Sequence, residues 1–163
     1  MAKKKRRSRP AALSMVYYIV QIVDWDWSYG FSINVPKWDD RRYSDYRHLL
    51  MRGNLLLPTA LKLKAETAEL TFLPDIGAAD LEQHDQTPPR AVGHLNVHDG
   101  RLTGGLSMAT AALDPVMQML IAGRLKYVVL DGEPMRYRQA LIRHYQLVSH
   151  LDSEDYPDAS SRD

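Results

Sequence analysis

The sequence predicts an all-β chain, mainly an antiparallel β-sandwich or flattened barrel of about eight strands, with one short α-helix near residues 114–123. Two observations carry this expectation, and a third constrains it. Runs rich in Val, Ile, Leu and Tyr alternate with polar residues at period two, and they recur between Gly, Pro and Asp turn signals. Only one window carries helix punctuation, with Asp114-Pro115 at its start and Gly123 as its stop. The chain also lacks cysteine, so its core must hold without disulfides.

The first strand is expected from Met15 to Val35. Its odd positions (Tyr17, Ile19, Val23, Trp25, Trp27, Tyr29, Phe31, Ile33) form an apolar set that alternation assigns to the core. Its even positions begin apolar (Val16, Tyr18, Val20, Ile22) and turn polar at Asp24 and Asp26, so that face is covered early and solvated later. Such a length exceeds the usual strand of about 3–10 residues, so a bulge or turn is expected between Trp27 and Gly30.

Tyr46 to Leu57 places Leu49, Met51, Gly53, Leu55 and Leu57 on one face and ends at Pro58, which cannot donate to a ladder. Leu61–Lys64 and Thr67–Leu73 read as two shorter strands. Residues 74–91 lack periodicity and contain a Pro-Pro pair, so they read as a long loop with room for one helical turn. Val92–His98 and Arg101–Met108 flank Asp99-Gly100, the signal of a type I′ hairpin. In the helix that follows, Val116, Met119 and Leu120 share a face. Leu125–Leu130 then leads through Asp131-Gly132 into a last strand, Met135–His150, with Met135, Tyr137, Leu141, Tyr145 and Leu147 on one parity. The helix is expected to plug the open end of the sheet structure.

At 163 residues the chain suits one domain. Its charge divides it into a basic tail (residues 1–11), a β-rich domain (12–151) and an acidic tail (152–163). The first nine residues carry six cations and no anion, and the last twelve carry five carboxylates and one cation. With both tails set aside, 14 basic and 15 acidic side chains remain, so the body is nearly neutral. Both tails read as disordered, and tails of opposite charge attract each other at low salt. A cationic stretch before the apolar run Ala11–Val23 looks like the start of a signal peptide. That run is 13 residues long, short of a membrane span, and Asp24-Trp25-Asp26-Trp27 follows it in place of a small-residue cleavage site. No membrane partner and a cytoplasmic location are the expectation.

Several constellations carry possible chemistry. Lys3, Lys4, Lys5, Arg6, Arg7 and Arg9 could contact nucleic acid, although no aromatics interleave them to stack on bases. Arg136 and Arg138 share strand parity with Ala140, Ile142 and His144, and together with Arg143 they could grip phosphate or carboxylate; a solvated face or pairing with Glu133 is the simpler alternative. Asp24 and Asp26, about 7 Å apart on one strand face, are a paired-carboxylate candidate for a sugar-binding or hydrolytic cleft beside Trp25 and Trp27. Their parity, however, points them to water. His94 and His98 lie about 13 Å apart on a strand, too far to share one metal ion unaided. Gly104-Gly105 marks a bulge or close backbone approach within a strand.

No nucleophile elbow, phosphate-cradling glycine loop or HExxH motif is present. The expectation is therefore a non-enzymatic binding or scaffolding module, without catalytic residues, metal or cofactor, acting on a protein partner or by self-association. The alternative is a nucleic-acid-associated accessory protein using its basic tail and the Arg-bearing strand.

Overall fold

The computed structural model of the protein describes residues 15–34, 42–58, 63–82, 89–152, 154 and 156. The elements run β1 (Val16–Ile33), β2 (Tyr43–Leu57), β3 (Thr67–Ile76), α1 (Ala78–Leu81), β4 (Gly93–His98), β5 (Arg101–Ala109), a 3-10 turn (Thr110–Ala112), α2 (Leu113–Ile121), β6 (Tyr127–Gly132) and β7 (Gln139–Val148). The strands close into a seven-stranded barrel in the order β1-β2-β3-β5-β4-β7-β6, with β6 returning to β1. Every neighbouring pair is antiparallel except β3 and β5. The fold is thus all-β with a short helix, and of the two expected forms it is the barrel.

The strand expected at Leu61–Lys64 accounts for the lower count. Leu63 and Lys64 form a turn, with Lys64 at φ 56°, and residues 61–62 lie outside the described set.

Apolar side chains fill the interior: Tyr18 and Val20 from β1, Leu49, Met51 and Leu55 from β2, and Leu70 and Phe72 from β3. Leu95, Leu102, Leu106, Val128, Leu130 and Ile142 complete it from the remaining strands. Gly104 lets Leu95 and Leu70 approach across this space. A Cβ there would stand 2.6 Å from Leu95 Cδ2 and 3.0 Å from Leu70 Cδ2, so packed side chains, in place of the bulge or close backbone approach expected there, leave no room for one.

One end of the barrel is stopped by α2, whose Leu113 and Leu120 are buried against the core. The helix ends on Gly123 at φ 64°, with Gly123 N–H donating to Leu120 and Arg124 N–H to Met119. The turn between β4 and β5 also follows the sequence, with Asp99 and Gly100 both at positive φ.

Two bulges reset the parity that alternation alone assigns to β1 and β2. Ile22 pairs with Gly53 and Asp24 with Arg52, leaving Val23 as an extra residue. Ile19 pairs with Leu57 and Val20 with Leu55, leaving Leu56 extra on β2. Consequently the even residues Tyr18, Val20 and Ile22 face the core before Val23, and the odd residues take over that face from Trp25 onward. The continuous odd core face is therefore corrected, as is the expected break at Trp27–Gly30: the irregularity sits at Val23 and the strand runs on.

Leu56 turns outward and joins Ile19, Tyr127 and Val129 in a second apolar cluster on the barrel wall, against which Val148, Leu151 and Tyr156 pack. β7 shows the same device. Gly132 pairs with Ile142 but Asp131 with His144, so the inward residues are Ala140 and Ile142 and then, past the bulge, Tyr145 and Leu147.

Candidate functional site

β1 and β2 are longer than the barrel needs. β6 flanks β1 only along Val16–Gln21, and β3 flanks β2 only along Leu49–Asn54. Beyond those limits Ser28–Ile33 and Tyr43–His48 pair only with each other among the described residues, as a two-stranded ribbon roughly 20 Å long. It leaves the barrel at the end that α2 covers, since β1 reaches that end through Gln21, the partner of Tyr127.

Directly opposed residues share a face, so the register sorts the ribbon's side chains. Trp25 faces Met51 and Trp27 faces Leu49, both partners belonging to the core; Tyr29–Arg47, Phe31–Asp45 and Ile33–Tyr43 continue the same face outward. Thus the inner surface of the barrel runs on into a surface with no third layer among the described residues. Trp27 is 36% exposed, Tyr43 47%, Tyr29 54%, Phe31 62% and Ile33 75%.

The rings are ordered by stacking on one another. Trp27 and Tyr29 stack at 6.2 Å, Phe31 and Tyr43 at 5.6 Å, and the Arg42 guanidinium lies 5.5 Å from the Tyr43 ring. Arg47 and Asp45 bind each other at 2.9 Å, so their charges cancel, and Arg42 adds a cation at the outer end of the row. The opposite face carries serines beside one pair of stacked rings. Tyr46 lies over Gly30 and stacks on His48, while Ser44 donates to Asn34 and shares a hydrogen bond with Ser32.

The residues expected to carry chemistry fall elsewhere. Lys3, Lys4, Lys5, Arg6, Arg7 and Arg9 lie outside the described residues. Arg136 and Arg138 do not share a strand face with Ala140, Ile142 and His144, because β7 begins only at Gln139. Arg136 and Gln139 close a two-residue hairpin through paired backbone hydrogen bonds, with Tyr137 at φ 50° and Arg138 at φ 65°. Ala140 and Ile142, expected beside the arginines, are buried in the core. Arg143 pairs with Glu133 at 2.9 Å, the simpler of its two readings.

Asp24 and Asp26 lie on the outer face of β1, opposite in direction to Trp25. Asp24 begins a ladder of ions across the wall: it meets Arg52 at 2.9 Å, Arg52 meets Glu69 at 3.6 Å, and Glu69 meets Arg101 at 3.6 Å. Asp26 accepts a hydrogen bond from the Trp27 N–H. His94 lies over Gly105, and His98 binds Asp99 at 2.9 Å. No cluster of metal-ligating side chains occurs among the described residues, and no helix there is long and apolar enough to cross a membrane.

The barrel end opposite α2 holds an open cleft of about 530 Å³, lined by Val16, Tyr18, Leu63, Lys64, Met135 and Arg138 among others. Tyr18 forms its floor and donates its hydroxyl to the Glu133 carbonyl at 2.8 Å. Burial pushes the Tyr18 phenol up to about 12, against a smaller opposing effect of the Met135 backbone.

Sequence reasoning placed Trp27–Ile33 in the core and so missed the ribbon as a surface. The signal was present in the strand lengths. β1 and β2 span 18 and 15 residues, whereas the other strands span 6 to 10, so the excess must run past its neighbours.

Comparison with protein-family models, with curated proteins and with solved structures gives no match.

Proposed function

We propose that this chain is a non-enzymatic binding or scaffolding module, acting in the cytoplasm, that engages a protein surface through the aromatic face of its ribbon. The observation that carries this reading is the row Trp27, Tyr29, Phe31, Ile33 and Tyr43, exposed on a two-stranded ribbon with no third layer among the described residues. A lone two-stranded hairpin is marginally stable in water, and monomeric proteins rarely leave so many large apolar groups together without a use. Aromatic rings supply large contact area at low entropic cost, and they are enriched at interface centres for that reason. The test is the triple variant Tyr29→Thr, Phe31→Thr and Tyr43→Thr, which keeps β propensity while removing the rings. At a dilution that keeps both proteins monomeric its thermal midpoint is expected to stay near that of the parent chain, while capture of protein partners, including the chain itself, is lost. Unchanged capture by the variant would sink the proposal.

A second reading, a nucleic-acid-associated accessory role, draws support from the cleft end. Lys64 and Arg138 line the same cleft as Val16, where the chain enters the barrel from its basic N-terminal residues. Arg136 and Arg138 flank Tyr137, which is wholly exposed on its turn, so cations and a stacking ring are interleaved there. Binding of single-stranded nucleic acid is expected to weaken with salt, and removal of residues 1–9 is expected to flatten that dependence by about 0.7 log units per lost phosphate contact. Binding that ignores both salt and the deletion would exclude this role.

A further inference from the structure

The ribbon's aromatic face is suited to one particular occupant, and the inference rests on the ribbon being a contact surface. We infer that it pairs face to face with the same ribbon of a second copy of this chain, the two running antiparallel about a twofold axis at the level of Gly30 and Tyr46. Three features lead there.

The first is the order of charges. Asp45 and Arg47 stand on the aromatic face of β2, one on each side of Tyr46, which points the other way. A twofold axis perpendicular to the strands at that level lays β2 on β2, and it sets each Asp45 against the Arg47 of the other copy. Two opposite charges placed symmetrically about one level are complementary to themselves under this rotation. A parallel arrangement would lay β2 on β1 of the other copy, setting Asp45 over Phe31 and Arg47 over Tyr29 and leaving both charges unmatched across the axis.

The second is the order of side chains along β1. The same rotation sets Tyr29 against Phe31 of the second copy and Trp27 against Ile33, so every large apolar group on this row meets another. The small polar side chains Ser28, Ser32 and Ser44 remain on the outer faces.

The third is area. With aromatic side chains of roughly 150–250 Å² each, the observed exposures leave on the order of 500 Å² of apolar side-chain surface per copy. Two copies would cover about 1,000 Å² of it before any backbone or rim contribution, which reaches the threshold for a specific interface. A polyanionic occupant fits less well, because the Arg47 charge is already matched by Asp45 on the same face.

The experiment is sedimentation of the full chain with two charge variants, Asp45→Arg and Arg47→Asp, at exposed positions where the fold tolerates change. The parent chain is expected to sediment as a dimer. Each variant alone opposes like charges and is expected to raise the dissociation constant roughly tenfold or more. Mixing the two variants in equal amounts restores opposite charges across the axis and is expected to restore the dimer. A monomeric parent chain, variants that dimerise as well as the parent, or a mixture that stays monomeric would each overturn the inference. The ribbon's role as a contact surface is judged separately, by whether loss of its rings abolishes capture of other proteins.

Discussion

The two halves of β1 obey the same alternation and end in opposite environments. Val16–Ile22 lies between β6 and β2, with Tyr18 and Val20 sealed in the core and Ile19 sealed in the outer cluster. Among the described residues Trp27–Ile33 lies beside β2 alone and holds its apolar side chains in the open. The even positions differ, apolar in the first half and Ser28, Gly30 and Ser32 in the second. Both halves nevertheless carry a row of aromatic and β-branched groups that favour pleated backbone, and that row does not tell them apart. The neighbours separate them. Alternation decides which residues share a face, whereas a flanking strand and a filled interior decide whether that face is dry.

The largest expected contrast between barrel and ribbon is in stability. Phe72 is fully buried and packs edge-on against Tyr145 at 5.3 Å, so Phe72→Ala is expected to cost about 3–5 kcal/mol in urea denaturation. Among the described residues Phe31 stacks on Tyr43 and is 62% exposed, so at a dilution that keeps the chain monomeric Phe31→Thr is expected to cost no more than about 1 kcal/mol. The comparison breaks if the two substitutions destabilise equally, because the ribbon would then be packed as a core.

Much of this division was legible before any coordinates. The Asp99-Gly100 hairpin and the helix closed by Gly123 follow from residues whose local conformation is restricted, and both appear where expected. What eluded sequence reading depends on contacts between distant segments. Val23 and Leu56 look like ordinary strand residues. They become bulges only because β1 and β2 must meet with one residue more on one side, and each bulge reverses the inward face. Tyr137 and Arg138 are poor candidates for a left-handed turn, so β7 read as beginning too early and the arginines were grouped on a face that does not exist. For the ribbon, hydrophobicity pointed to burial, and only the mismatch in strand lengths pointed away from it.

Two glycines sharpen the comparison at intermediate size. A methyl group at Gly104 would press on Leu95 and Leu70, both wholly buried, and on the His94 carbonyl at 3.1 Å. Overpacking of this kind typically costs about 1–3 kcal/mol, and Gly104→Ala is expected to fall there. A methyl group at Gly30 would meet the Tyr46 ring, which is 62% exposed and free to swing into water. Gly30→Ala is therefore expected to change stability by no more than about 0.5 kcal/mol in the same urea titration. A large cost at Gly30 would mean that Tyr46 is held in place by something beyond the ribbon.

The smallest effect concerns two tyrosines of one strand and is best read through pH. Tyr18 gives its proton to the Glu133 carbonyl inside the barrel, so Tyr18→Phe is expected to cost about 0.5–1.5 kcal/mol at neutral pH. Tyr29 lies on the ribbon and is 54% exposed, so Tyr29→Phe is expected to be close to neutral. The phenol of Tyr18, raised to about 12 chiefly by burial, is harder to ionise folded than in the unfolded chain, where it titrates near 10. Its neutral form thus favours the fold, and that contribution is intact below pH 10 and lost as pH rises through 12. Thermal midpoints taken from pH 9 to pH 12 should fall for the parent chain and for Tyr29→Phe alike. For Tyr18→Phe the decline should be shallower, because the group that must ionise inside the barrel is gone. Parallel declines in all three proteins would place the alkaline sensitivity outside the barrel interior and remove Tyr18 from the account of its stability.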